Sequence, residues 1–177
     1  MIELEVSGLS SKELYRVLIH WIAPGPIAWV STVNKNGVVN LAPFSFFNLV
    51  CDQPPILMLS ISKKEDGSRK DTSRNVLEVG DFVVNFVGEN LLEKVELTAK
   101  EFSPDVSELE LAGLTPEPSK IVKPPRIKEA PASLECKLAK HIELYDYDII
   151  FGEVVFLVIR QEKVKRVGRV GDSFCVC

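Results

Sequence analysis

The chain has 177 residues, 46% of them hydrophobic and 26% charged, with a formal net charge of −4. That length and apolar content suit one domain with a sizeable core and argue against disorder. The negative charge argues against a general nucleic-acid binder, and no apolar run reaches the ~20 residues that cross a bilayer.

The opening MIELEVSGLS is acidic and lacks the basic-then-apolar order of a signal peptide, so a cytoplasmic protein is expected. Residues 10–22 place Leu14, Val17, Leu18 and Trp21 at helical spacing, with Ser10 or Ser11 available as a cap. Pro24-Gly25-Pro26 then stops the helix and starts an extended segment. IAWVSTV at 27–33 reads as a buried strand, Asn34-Lys35-Asn36-Gly37 as a tight turn, and VVNLAPFSF as the returning strand, so 27–46 is a β-hairpin. Alternation along this strand sends Phe44 and Phe46 to one face and Ser45 and Phe47 to the other. A third strand is expected at 56–62, a helix near 72–79 ending at Gly80, a strand at 82–87 and a helix at about 89–102.

Residues 103–131 are rich in proline and acidic residues and read as a long surface connection. From 133 the chain alternates, with Leu134, Cys136, Leu138, Ile142 and Leu144 on one face. Ser133, Glu135, Lys137, His141 and Glu143 take the other, and 133–160 reads as a second long hairpin. Residues 161–177 form a C-terminal tail. Strands joined mostly by short turns, with two or three helices, predict an antiparallel β-barrel. Strands and helices do not alternate and no G-x-G-x-x-G is present, so a parallel dinucleotide fold fits poorly.

No G-x-S-x-G elbow, H-E-x-x-H or Walker A loop occurs. Cys51, Cys136, Cys175 and Cys177 lack metal-ligand spacing, and His20 and His141 are the only histidines, so no metal site is expected. Two segments remain. SKKEDGSRKDTSRN sets Lys63, Lys64, Arg69 and Lys70 ahead of a helix start, where backbone amides and the helix dipole favour anions. Residue types alone leave two readings there, a phosphate site or a plain helix capped by Asp71. LAPFSFFN at 41–48 combines rings with the polar atoms of Ser45 and Asn48, which suits a flat heterocycle. Together the two segments suggest a mononucleotide-like cofactor.

PGPIAWVSTV, NGVVNLAPFSFFN, DQPPILMLSI, KDTSRN, GDFVVNFV, AGLTP, LEC and IIFGEVV stand in the order found in flavin reductase-like, FMN-binding split-barrel proteins, including flavoredoxin-type members. The chain resembles that family over roughly residues 14–160, with an echo in VGRVGDSF at 167–174. The resemblance implies a mainly β fold, a six-stranded antiparallel Greek-key split β-barrel with a few peripheral helices, forming one domain over 1–177 and working as a homodimer. It implies FMN near the dimer interface, lined by Trp29, Val30, Ser31 and Thr32, by Ser45, Phe46, Phe47 and Asn48, and by Leu59, Ser60, Ile61 and Ser62. Lys70, Asp71, Thr72 and Asn75 match the family's K-D-T-x-x-N phosphate segment, and Arg169 falls in its C-terminal glycine-arginine stretch.

Two departures stand out. Many members read P-R-P where this chain has Pro24-Gly25-Pro26, and many carry G-D-H where it has Tyr145-Asp146-Tyr147. Tyr147 thus takes the place of a histidine often linked to nicotinamide handling, and His141 reads as structural rather than as its displaced substitute. The resemblance implies an NAD(P)H-dependent flavin reductase, with NADH or NADPH as reductant and free flavin, an oxygenase or another electron-transfer partner as acceptor. No nucleic acid or membrane partner is implied. The Tyr147 departure favours a flavoredoxin-type FMN electron carrier instead, and a non-enzymatic flavin-binding module using the acidic 101–118 stretch is a further alternative.

Overall fold

A computed structural model describes residues 3, 5–22, 25–161, 165–170 and 173–176, with Val170 and Cys175 described through their backbone. Pro24, Cys177 and the Cys175 side chain lie outside the described residues, so the expectations placed on them are not taken further.

The first helix, α1 (Ser11–Ile22), starts at a capping box. Ser10 Oγ accepts from the Glu13 amide at 3.3 Å, and Glu13 Oε2 accepts from the Ser10 amide at 3.0 Å. Its apolar face is thinly covered: Ile19 is buried, while Trp21 is 81% exposed. β1 (Gly25–Pro26) leads into the hairpin of β2 (Ala28–Val33) and β3 (Val39–Phe44), whose turn is held by Asn34 Oδ1 accepting from Asn36 and Val38.

The strands β4 (Phe47–Asp52), β5 (Pro55–Ser62), β6 (Asp81–Asn85), β9 (Ala132–Leu144) and β10 (Tyr147–Ile159) complete the main sheet. Among the described residues its order is β3-β2-β6-β9-β10-β5-β4, seven strands, all pairs antiparallel. The expected six become seven because β4 forms where the sequence read a connection. Leu49 and Val50 are both exposed there, so β4 shows no alternation. The two edge strands, β3 and β4, are consecutive in the chain. Only Ser45 and Phe46 separate them, and the Phe46 carbonyl accepts from the Ser60 amide at 2.9 Å. The sheet therefore curls until its edges meet at this seam, giving a barrel split along one side.

Inside the barrel pack Val30, Leu57, Leu59, Ile61, Phe82, Val84 and Ile150, closed at one end by Val76 of α2 (Asp71–Val79). Gly80, at φ +82°, ends α2 in the left-handed conformation that glycine adopts most easily. A second core lies outside the barrel wall, where Trp29 and Leu41 meet Val95 of α3 (Leu92–Thr98) and Leu109 of α4 (Glu108–Leu111). Trp29 Nε1 donates to Thr98 Oγ1 at 2.8 Å, and α3 ends there, well short of the expected 102.

The expected surface connection is in fact a packed arm. Leu109, Leu114, Ile127 and Ala130 are buried, and a short ribbon of β7 (Pro116–Glu117) and β8 (Arg126–Ile127) lies across β9. The arm also buries the start of the polar face of β9. Glu135 is fully buried and accepts from Arg126 Nη1 at 2.9 Å and from the amides of Lys120 and Ile121. At the far end of the hairpin, Ile142 and Leu144 are exposed instead. The tail pairs as β11 (Val167–Val170) with β12 (Ser173–Val176) and with β1, setting Arg169 opposite Gly25.

Candidate functional site

α2 begins without a side-chain cap. Lys70 occupies the N-cap position, and Asp71 is the first helical residue, so its carboxylate does not reach back to the amides of 73 or 74. Asp71 instead pairs with Arg74 one turn on and with Lys64 at 3.7 Å. The expected Asp71 cap is thereby corrected, and the positive end of a nine-residue helix is left without one.

In front of it lies an open cleft lined by Asn40, Ala42 and Phe44 of β3, by Lys64, Lys70, Asp71 and Thr72, and by residues 98–102 and Glu108. Thr72 Oγ1 accepts from Asn40 Nδ2 at 2.9 Å, which leaves the Thr72 O–H as a donor. Asn75, three residues further along α2, donates through Nδ2 to Thr32 Oγ1 at 3.1 Å. Its Oδ1 is buried without a hydrogen-bond partner.

The basic loop divides in two. Lys63 and Arg69 both bind Glu143, and Arg69 also binds Asp148 at 3.2 Å, so these cations brace the end of the β9–β10 hairpin. Among the described residues Lys70 and Lys100 make no ion pair, and both line the cleft. Glu108 is 6% exposed in the same cleft, its Oε2 accepting from the Leu41 amide at 3.0 Å. Burial pushes its carboxyl up from the usual range and Asp71 adds to that, against the lowering by the backbone amides.

The second segment does not alternate as expected. The bend at Ser45 and Phe46 turns Phe44 and Phe47 towards the same barrel core and sends Phe46 outwards. Phe46 lies nearly parallel to Tyr147 at 6.4 Å between centroids, with Tyr15 of α1 6.2 Å away. These three rings line an apolar groove between α1 and the barrel, with Leu18, Ser60 and Leu144. Among the described residues no lysine, arginine or histidine side chain lines it. The segment thus runs from the charged cleft at Phe44 to the apolar groove at Phe46.

Of the other residues singled out, Trp29, Val30, Leu59 and Ile61 are fully buried core. Ser31 and Thr32 are equally buried and hydrogen-bonded, Ser31 donating to the Pro125 carbonyl at 2.6 Å. Ser60 and Ser62 are half-buried on the outer side of β5, Asn48 is exposed, and Arg169 lies over the Phe174 ring at 5.8 Å. His141 Nε2 is 2.7 Å from Asp148 Oδ1, inside the network braced by Arg69. Asp148 alternates away from Tyr147 on β10, so His141 serves that network and not the groove. Burial opposes ionisation of Asp148, yet the bonds from His141 and Arg69 hold its carboxyl below the usual range.

Sequence reasoning missed Asn40, Lys100, Glu108 and Tyr15. Asn40 shares one face of β3 with Ala42 and Phe44, a period-two signal that was available. Lys100 and Glu108 arrive from segments whose path depends on the second core.

Residues 22–168 match the family described as flavin reductase like domain. A protein of Aquifex aeolicus (strain VF5), itself uncharacterised, is 46% identical over 98% of this chain and 94% of its own length. The crystal structure of nitrilotriacetate monooxygenase component B from Bacillus cereus superposes with a TM-score of 0.92 at 34% identity, covering 100% of this chain and 96% of that one. Flavoredoxin of Desulfovibrio vulgaris (Miyazaki F) shares the fold, with a TM-score of 0.76 at 19% identity over 100% of this chain and 93% of its own.

Proposed function

The chain belongs to the flavin reductase-like family, and on that premise we propose that it is an FMN-binding flavoprotein acting as an NAD(P)H-dependent flavin reductase. The observation that carries this reading is the uncapped start of α2, facing a cleft that holds Lys70 and Lys100, which make no ion pair among the described residues. Those groups fit a phosphate: backbone amides and the Thr72 hydroxyl donate, and the two lysines balance its charge. The buried, unpartnered Asn75 Oδ1 suits a hydroxyl donor of the same ligand.

Bound flavin supplies the electron-transfer chemistry, and the protein's part is to bind, orient and shield it. Ser45, Phe46 and Asn48, with Ser60 and Ser62, flank the flavin ring in this reading, Phe47 backs them from the barrel core, and Arg169 closes over it. Trp29, Val30, Ser31, Thr32, Leu59 and Ile61 shape the wall from behind, being buried themselves. Asp71 positions Lys64 at the cleft rim.

We further read the protein as a homodimer. Leu18, Trp21, Ile22, Leu144 and Tyr145 leave a large apolar surface around the groove, which a second copy would cover. Among the described residues no helix is long and apolar enough to cross a membrane. The free thiols of Cys51 and Cys136 suit the reducing cytoplasm in which we place the protein.

A second reading, a flavoredoxin-type electron carrier, is favoured by one observation. Among the described residues, the groove beside Tyr147 offers no cation to a nicotinamide dinucleotide's phosphates. Anaerobic titration separates the two. A yellow protein bleached by NADH or NADPH is the reductase, and one bleached by dithionite alone is the carrier. A colourless protein that fails to take up FMN overturns both.

A further inference from the structure

We propose that Glu108 takes up a proton when a phosphate-bearing ligand enters the cleft, so that the cleft selects the phosphate through a charge-coupled carboxyl. This rests on the reading that the cleft receives the FMN phosphate.

The cleft is electrically balanced before anything binds. Lys64, Lys70 and Lys100 face Asp71, Glu101 and Glu108. Lys64 and Lys70 come from the loop ahead of α2, Asp71 from its first turn, and Lys100 and Glu101 from the segment after α3. A phosphate with a charge near −2 upsets that balance in a partly buried space. One carboxylate there is the easiest to neutralise. Glu108 is 6% exposed, and its charged form is disfavoured first by burial and then by Asp71. Asp71, by contrast, is fixed to Arg74 and Lys64.

Protonation is compatible with the local bonding. The Leu41 amide needs only an acceptor at 3.0 Å, which the carbonyl oxygen of a neutral carboxyl still provides. The hydroxyl that forms is a new donor on a group that lines the cleft. The proton comes from solvent, and no bond other than O–H is made.

The test is calorimetric titration of FMN into the flavin-free protein at pH 8, in two buffers of different ionisation enthalpy. The buffer dependence of the heat gives the protons taken up. Uptake of a substantial fraction of one proton per FMN is expected, absent for riboflavin and lost in Glu108→Gln. FMN binding without buffer dependence overturns the inference and leaves the flavin assignment standing, as does uptake that persists in Glu108→Gln. Failure to bind FMN at all overturns both. If Glu108→Gln does not fold, the wild-type affinity decides. It should fall with rising pH between 7 and 8.5, by up to about tenfold per unit for one linked proton. A flat profile overturns the inference.

Discussion

A Cβ placed on Gly152 would stand 2.2 Å from Cζ of Phe82, far inside van der Waals contact. Gly152 sits in β10 beside a register shift against β9, and the Phe82 ring fills the space a side chain would take. Gly152→Ala should therefore destabilise the protein by about 1–3 kcal/mol through overpacking. Urea denaturation measures this, and pairing it with Phe82→Leu should recover part of the loss.

Asn85 joins four elements through one amide. Nδ2 donates to the Trp29 carbonyl at 3.1 Å and to Ser31 Oγ at 3.2 Å, while Oδ1 accepts from the Ile127 amide and Ser133 Oγ. All of it is buried. Asn85→Ala strands these partners, at about 1–3 kcal/mol for each group left unsatisfied. Thermal unfolding should show a large loss, with less for Asn85→Asp, which keeps the acceptor side.

Asp148 and Glu108 make opposite contributions to the pH dependence of stability. The Asp148 carboxyl is held low, so its stabilisation is present above the unfolded value of about 3.9 and lost as pH falls through the lower folded value. Asp148→Asn should cost stability at pH 7, with the deficit shrinking in acid. The Glu108 carboxyl is raised, so its contribution is present below about 4.3 and lost as pH rises through the folded value. Glu108→Gln should raise the melting temperature at pH 7 and leave it unchanged at low pH.

Lys70→Ala and Thr72→Ala should each weaken FMN by roughly tenfold or more, the scale of one charge-assisted hydrogen bond. Riboflavin, without the phosphate, should bind these variants nearly as it binds wild type. Equal losses for both flavins in a fluorescence titration would remove the phosphate from this cleft.

Trp21, 81% exposed, and Leu144, 52% exposed, lie on the surface assigned to the second copy. Trp21→Asp with Leu144→Asp should convert a dimer to a monomer in light scattering. A wild-type monomer at micromolar concentration would refute the assignment.

Much of the architecture was legible in short-range pattern. The two hairpins, a serine cap ahead of α1 and the Gly80 stop follow from spacing and turn chemistry. β4 was not legible, because Leu49 and Val50 are exposed in succession and erase the period of two. The burial of Glu135 was not legible either, since alternation says which residues share a face and nothing about what later covers it. In the candidate site, the K-D-T segment was visible as a motif. The absence of a cap depended on which residue took the N-cap position, a one-residue matter that pattern reading does not fix. Lys100 reaches the cleft only because α3 stops at Thr98, which Trp29 holds across the second core.

The seam at Ser45 and Phe46 has a bearing on solubility. Among the described residues the strands flanking the split have no sheet partner on that side beyond those two residues, and unpaired backbone donors at a sheet edge invite a strand from another chain. On β3 that invitation is withdrawn at Leu41, whose outward amide is already taken by the Glu108 side chain. The same carboxylate that faces the cleft thus also blunts an edge along which copies of the protein would otherwise aggregate.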